Sequence, residues 1–272
     1  MTLLKRQPFQ VISHQTLKMK KQILYFYSNQ KKIACYLSMS NHNVIDFSNY
    51  ETAMLQMNTL ITNTLQELWD FMKNPVELAD QNSPIQQKIA TCWALFLIQI
   101  PPLLVLMALL GGLEQLGLWE EDMHSLQKIF EEMEPVLIFF FAVIMAPLFE
   151  EIMFRLILRF RSNFLILWSI HIGVALHLGQ KRSLLKTARK VWDKFYGRVF
   201  YLMTMAFGLM HIMNFEPSLN IYLLAPILVA PQILIGINLG YLRVRFGLIW
   251  SILFHAFYNG VLMSIALLTG EI

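Results

Sequence analysis

Three short stretches of this chain carry residue types that could do acid–base chemistry. Phe149-Glu150-Glu151-Ile152-Met153-Phe154-Arg155 holds two adjacent carboxylates and an arginine. Phe207-Gly208-Leu209-Met210-His211 places a histidine one helical turn after an aromatic, and His255-Ala256-Phe257-Tyr258-Asn259 places a histidine one turn before an amide. Each stretch lies in an otherwise apolar run. Ionisable groups are costly inside a bilayer, and where they occur they mark functional sites.

The spacing suggests a division of labour. Glu151 and Arg155 are four apart with the acid first, the favourable order for a helical ion pair. Arg155 is therefore expected to neutralise Glu151. Glu150 points about 100° away around the helix, which leaves a desolvated carboxylate suited to general acid–base work near neutral pH. His211 could orient a water together with Glu150. His255 and Asn259 share a helix face and can both donate to one oxygen, as in an oxyanion hole. The set Glu150, His211 and His255 could instead hold Zn²⁺, which accepts nitrogen and oxygen ligands in tetrahedral sites. Against chemistry stands a packing role, in which the Glu–Arg cluster and the histidines only hydrogen-bond between helices.

The elements that must position these residues are membrane helices. Of 272 residues, 56 % are hydrophobic and 15 % charged, with a mean hydropathy of +0.48. Soluble domains have roughly 45–50 % apolar and about 25 % charged residues. Crossing a bilayer takes about 20 largely apolar residues, and the candidate spans are 88–112, 135–160, 199–214, 219–242 and 247–269. The expected fold is all-α, a polytopic transmembrane helix bundle with the polar residues on three core helices. Pro147 lies one turn before the glutamate pair, where it either opens the helix backbone or serves as a packing kink. The apolar stretch 163–179 is flanked on both sides by basic residues, Arg159 and Arg161 before it and Lys181 to Arg198 after it. A re-entrant or interfacial hairpin, or two short crossings together with part of 184–196, suits it better than a single crossing.

Charge sets the orientation. Lysines dominate before the first span, and the loop after it is acidic, from Glu114 to Glu134. By the positive-inside rule the N-terminus is cytoplasmic. Residues 1–87 form an N-terminal cytoplasmic or interfacial region, with an amphipathic helix from Glu51 to Met72 carrying Met54, Met57, Ile61, Leu65, Leu68 and Met72 on one face. Residues 88–272 form the membrane domain. The first twenty residues hold no apolar signal run, so the first span is expected to direct insertion, and Met19 is an alternative start. The net charge of +4 clusters beside apolar runs, which points to lipid headgroups and not to nucleic acid. Cys35 and Cys92 suggest neither a disulfide nor a zinc cluster.

Glu-Glu-x-x-x-Arg, then Phe-x-x-x-His, then His-x-x-x-Asn, in that order and each within a membrane helix, resembles the CAAX protease and bacteriocin-processing family of intramembrane proteases. That family includes the type II CAAX prenyl endopeptidase and the bacterial Abi proteins. The likeness covers about residues 88–269. It implies an intramembrane endopeptidase in which Glu150 and His211 activate water and His255 and Asn259 stabilise the oxyanion. Glu151, Arg155 and Phe207 would support them. It implies a peptide or membrane-protein substrate, lipidated in some members, and a bacterial inner-membrane location. Family members are described both as metalloprotease-like and as metal-free glutamate proteases, so zinc stays open. The long stretch between Glu151 and His211 departs from the family's short connection.

Two other classes compete. An ion-coupled transporter also uses intramembrane Glu, His and Asn, although the chain shows no paired broken-helix repeat. A non-proteolytic scaffold or immunity protein would keep the polar cluster for packing alone. No His-Glu-x-x-His motif is present.

Overall fold

The computed structural model describes residues 47–77, 82–118 and 133–269, and every regular element among them is helical. In chain order these are α1 (Phe47–Lys73), α2 (Ile85–Gln115), α3 (Pro135–Phe140), α4 (Ala146–Arg155), α5 (Phe164–Ala175), α6 (Lys181–Met210), α7 (Leu219–Leu228), α8 (Ala230–Arg245) and α9 (Leu248–Thr269). A π-helical turn, Phe141–Met145, joins α3 to α4. From Gln56 onward the chain forms one compact unit. The expectations for Cys35 and most of the acidic loop fall outside the described residues.

Among the described residues four helical runs are long and apolar enough to cross a membrane: Ile85–Gln115, Pro135–Leu158, Leu219–Arg245 and Leu248–Thr269. Side chains such as Val105 and Val136 are 68 % and 79 % exposed on them. Apolar surface on that scale needs lipid and not water around it. The chain is an integral, multi-pass membrane protein.

The stretch 199–214, expected as a fifth span, is not a separate element. It is the C-terminal part of α6 followed by the turn His211–Asn214. The first half of α6 is too basic for the helix as a whole to read as an apolar span. It is held instead through one face, where Trp192, Tyr196, Phe200, Thr204 and Phe207 are buried at steps of three or four. Helix α5 has 12 residues and is roughly 18 Å long. That is too short to cross a hydrocarbon core of about 30 Å.

Helices α6 and α8 pack closely because glycine lets them. A Cβ on Gly240 would lie 2.5 Å from the Phe200 ring, and one on Gly208 would lie 2.4 Å from Ile233 Cγ1. Gly236 faces Phe207 and Thr204 in the same way. The pairs 208 with 233, 204 with 236 and 200 with 240 set an antiparallel register. Small residues at a membrane-helix interface have this effect generally.

Helix α1 meets the core along a face that its apolar stripe only partly covers, through Leu68 and Met72. Thr64, Leu68 and Phe71 are buried, whereas Met54, Met57 and Leu65 are exposed. Phe71 packs edge-on against Phe200 at 5.0 Å and against Tyr241 at 5.4 Å. These aromatic contacts, together with Tyr241 Oη donating to Glu67 Oε2 at 3.0 Å, set the rotation of the helix.

Candidate active site

The three polar stretches come together at one level of the bundle. Glu150 and Glu151 lie on α4, His211 follows the last turn of α6, and His255 and Asn259 lie on α9. Glu150 Oε2 is 3.7 Å from His255 Nε2 and 4.0 Å from His211 Nε2. That oxygen is buried and has no hydrogen-bond partner.

The opposite edges of both rings are engaged. His211 Nδ1 is 2.8 Å from Phe207 O. A carbonyl can only accept, so Nδ1 carries the hydrogen and Nε2 of the neutral ring presents a lone pair. His255 Nδ1 is 3.1 Å from Glu151 Oε1 and donates to it in the same way. In the neutral rings, two nitrogen lone pairs and one carboxylate oxygen therefore face each other with no donor among them.

Glu151 is wholly enclosed. Besides His255, it is hydrogen-bonded to Ser251 and lies 3.7 Å from Arg155 Nε. Arg155 is only 1 % exposed. Its Nη2 donates to Gly236 O at 3.3 Å, and its guanidinium lies over the Phe207 ring at 4.2 Å. A side chain at 236 would crowd that guanidinium, since a Cβ there would stand 3.4 Å from Nη2. Phe207 is the hub of the cluster: its ring is edge-on to both His211, at 4.9 Å, and His255, at 5.8 Å.

Asn259 is tied to the π-turn. Its Nδ2 donates to Ala142 O at 2.9 Å. The Ala146 N–H bonds Phe141 O, five residues back. The next residue that could serve Ala142 O is Pro147, which has no N–H. The asparagine amide fills that vacancy, so Pro147 opens the backbone where the sequence placed it. π-turns of this kind recur at functional sites. One amide hydrogen is committed in this way, and the second is available for another acceptor.

The last carbonyls of the Glu150 helix are closed off by side chains from elsewhere. Arg243 Nε donates to Arg155 O at 2.8 Å, Ser162 Oγ to Leu156 O at 2.8 Å, Asn163 Nδ2 to Ile157 O at 3.1 Å and Tyr196 Oη to Leu158 O at 3.1 Å. Glu77 fastens the next turn by accepting from Phe160 N, Arg189 Nη1 and Trp192 Nε1. A buried pair, Asn238 Nδ2 donating to Gln99 Oε1 at 2.7 Å, ties α8 to α2. Asn238 stands out in the sequence as a polar residue within a span; the other partners carry no local signal there. Ser251 is one turn before His255, and that spacing is the one signal available for it.

Among the described residues no group of three His, Cys, Asp or Glu side chains has an arrangement that would hold a metal ion.

Membrane-spanning helices around a buried acid–histidine cluster define a polytopic membrane protein. Residues 132–261 match the family model described as type II CAAX prenyl endopeptidase Rce1-like. Over that stretch, a little under half of its length, the chain is similar to that family. The match takes in Glu150, Glu151, Arg155, Phe207, His211, His255 and Asn259, and it leaves α1 and α2 outside. No curated protein and no solved structure shows significant similarity to the chain.

Proposed function

We propose that this protein is an intramembrane endopeptidase in which Glu150 and His211 hold and activate the attacking water. The observation that supports this reading best is the buried, unpartnered Glu150 Oε2 facing two imidazole nitrogens. A water between these acceptors supplies the donors they lack. Glu150 takes its proton as the oxygen attacks the peptide carbonyl, and His211 holds it in line. The proton then passes to the leaving amine.

His255 and Asn259 stabilise the oxyanion. His255 Nδ1–H is already given to Glu151, so Nε2 donates to the oxyanion once it holds the proton that Glu150, 3.7 Å away, takes from the water. The second amide hydrogen of Asn259 joins His255 at the same oxygen. Glu151, Arg155 and Phe207 position these groups without touching substrate.

The substrate is a peptide or membrane-protein tail presented at the bilayer. The family's description makes a prenylated C-terminal peptide the first to try. The charge asymmetry of the sequence favours a cytoplasmic N-terminus, and the family resemblance suggests a bacterial inner membrane. The test is cleavage of membrane-tethered peptides, lipidated and unlipidated, by purified wild type, Glu150→Gln and His211→Ala. The expected result is loss of about 10²–10⁴-fold in each variant with folding intact. Unchanged cleavage in both folded variants would remove these residues from the mechanism. A zinc chelator in parallel decides whether a metal acts at the same three atoms.

A further inference from the structure

A cleft of about 650 Å³ opens between the α1–α2 connection and α6, well away from the acid–histidine cluster. Its lining includes the cations Lys73, Lys194 and Arg198, and along α6 the apolar Leu202 and Met205 follow Arg198. We infer that this cleft binds an anionic glycerophospholipid, its phosphate on the three cations and an acyl chain along Leu202 and Met205.

Position along the membrane is the first support. Arg198 lies thirteen residues before His211 on α6, roughly 20 Å along a helix axis. The glycine register with α8 pairs Phe200 with Gly240. Arg198 is therefore level with the end of the span Leu219–Arg245, where Arg243 and Arg245 stand. That is headgroup depth, and the separation exceeds the reach of the few residues flanking a scissile bond.

Charge is the second support. The one carboxylate lining the cleft, Asp193, is already held by Arg189 Nε at 2.9 Å. Lys73 has an exposed partner in Asp70 at 3.2 Å. Lys194 and Arg198 have no acidic partner among the described residues, and both lie over the Phe195 ring at 5.3 and 5.1 Å. Two uncompensated cations and a third nearby favour a phosphate over a neutral headgroup.

Shape is the third. Leu202 and Met205 are 63 % and 43 % exposed. They follow Arg198 by one and two turns, on the side of α6 that leads toward the membrane interior. A free phosphate would use the cations and leave this apolar wall bare, whereas a phospholipid uses both.

The experiment is thermal unfolding of the full chain in neutral-detergent micelles titrated with phosphatidylglycerol, with phosphatidylcholine of the same chains and glycerol 3-phosphate as controls. Native mass spectrometry of the same samples counts retained lipid. The expected result is a saturable rise in midpoint with phosphatidylglycerol alone and one retained lipid. Lys194→Gln with Arg198→Gln should raise the half-saturating concentration roughly thirtyfold, on about 1 kcal/mol per cation near an anionic surface. Either single variant should show part of that change, and serves if the double one does not fold. An equal response to phosphatidylcholine, a full response to glycerol 3-phosphate, or a folded variant that keeps the wild-type titration would overturn the inference. The readout is independent of cleavage, so it stands or falls apart from the peptidase reading.

Discussion

The helical run from Pro135 to Leu158 meets polar partners in two places. At its C-terminal end four consecutive carbonyls, Arg155 to Leu158, each accept from a side chain brought in by another part of the chain. One to two turns earlier, Glu150 presents a buried oxygen to two imidazole nitrogens and no donor at all. Water cannot reach into a bilayer to satisfy a helix end, so protein groups must do it. The same constraint should have removed the Glu150 arrangement unless something other than protein completes it. A fully partnered polar region is architecture. An unfinished one a few residues away on the same rigid element is where a water and a substrate belong.

The largest expected effect comes from removing the unfinished group. Glu150→Gln keeps the shape and deletes the base, so kcat should fall by about 10²–10⁴-fold while the unfolding midpoint stays level or rises. A destabilised protein with residual activity in proportion to its folded fraction would make Glu150 a structural carboxylate and erase the contrast.

Arg155 stands between the two: its carbonyl is capped, while its buried Nε and Nη1 have no hydrogen-bond partner. It is fully buried against Glu151, and removing one partner of a buried ion pair costs about 3–5 kcal/mol. Arg155→Leu should therefore lower the unfolding midpoint sharply. Adding Glu151→Gln should recover part of the loss by neutralising the stranded acid. Non-recovery in the double variant would mean that Arg155 acts chiefly through Gly236 and the Phe207 ring.

Asn259 stands on the border between the two regions, and a double variant separates its roles. Asn259→Ala leaves Ala142 O without its donor, worth about 1–3 kcal/mol when buried. It also removes an oxyanion donor, worth about 10²–10³-fold in kcat. Adding Pro147→Ala returns a backbone N–H to the turn. Stability should then recover and cleavage should not. Recovery of both would make Asn259 purely a brace for the π-turn.

These contrasts also explain what could be read from the residues alone. The membrane helices were legible because lipid-facing apolar runs are long, and four of the five expected spans are present as apolar runs of spanning length. The fifth, 199–214, failed because α6 is buried by one aromatic face and not by overall hydropathy. The convergence of Glu150, His211 and His255 was legible because charged and imidazole groups have little other business in a span. Arg243, Tyr196 and Glu77 were not, because a side chain that meets a backbone group 38 to 88 residues away leaves no local pattern. Asn259 was legible as a donor, but its actual acceptor depended on the π-turn, which no periodicity announces.

The smallest expected effect tests whether the closed helix end is as separate from the chemistry as its partners suggest. Tyr196 Oη donates only to Leu158 O, eight residues beyond Glu150, and the three carbonyls before it have their own donors. Tyr196→Phe deletes that one hydrogen bond and keeps the aromatic packing against Trp192 at 5.3 Å. The loss should be about 1 kcal/mol, a midpoint shift of roughly 2–4 °C, with kcat/KM unchanged once corrected for folded fraction. A fall in kcat larger than the stability change would show that the end of the helix sets the position of Glu150. The fully partnered region would then be part of the catalytic device and not merely its frame.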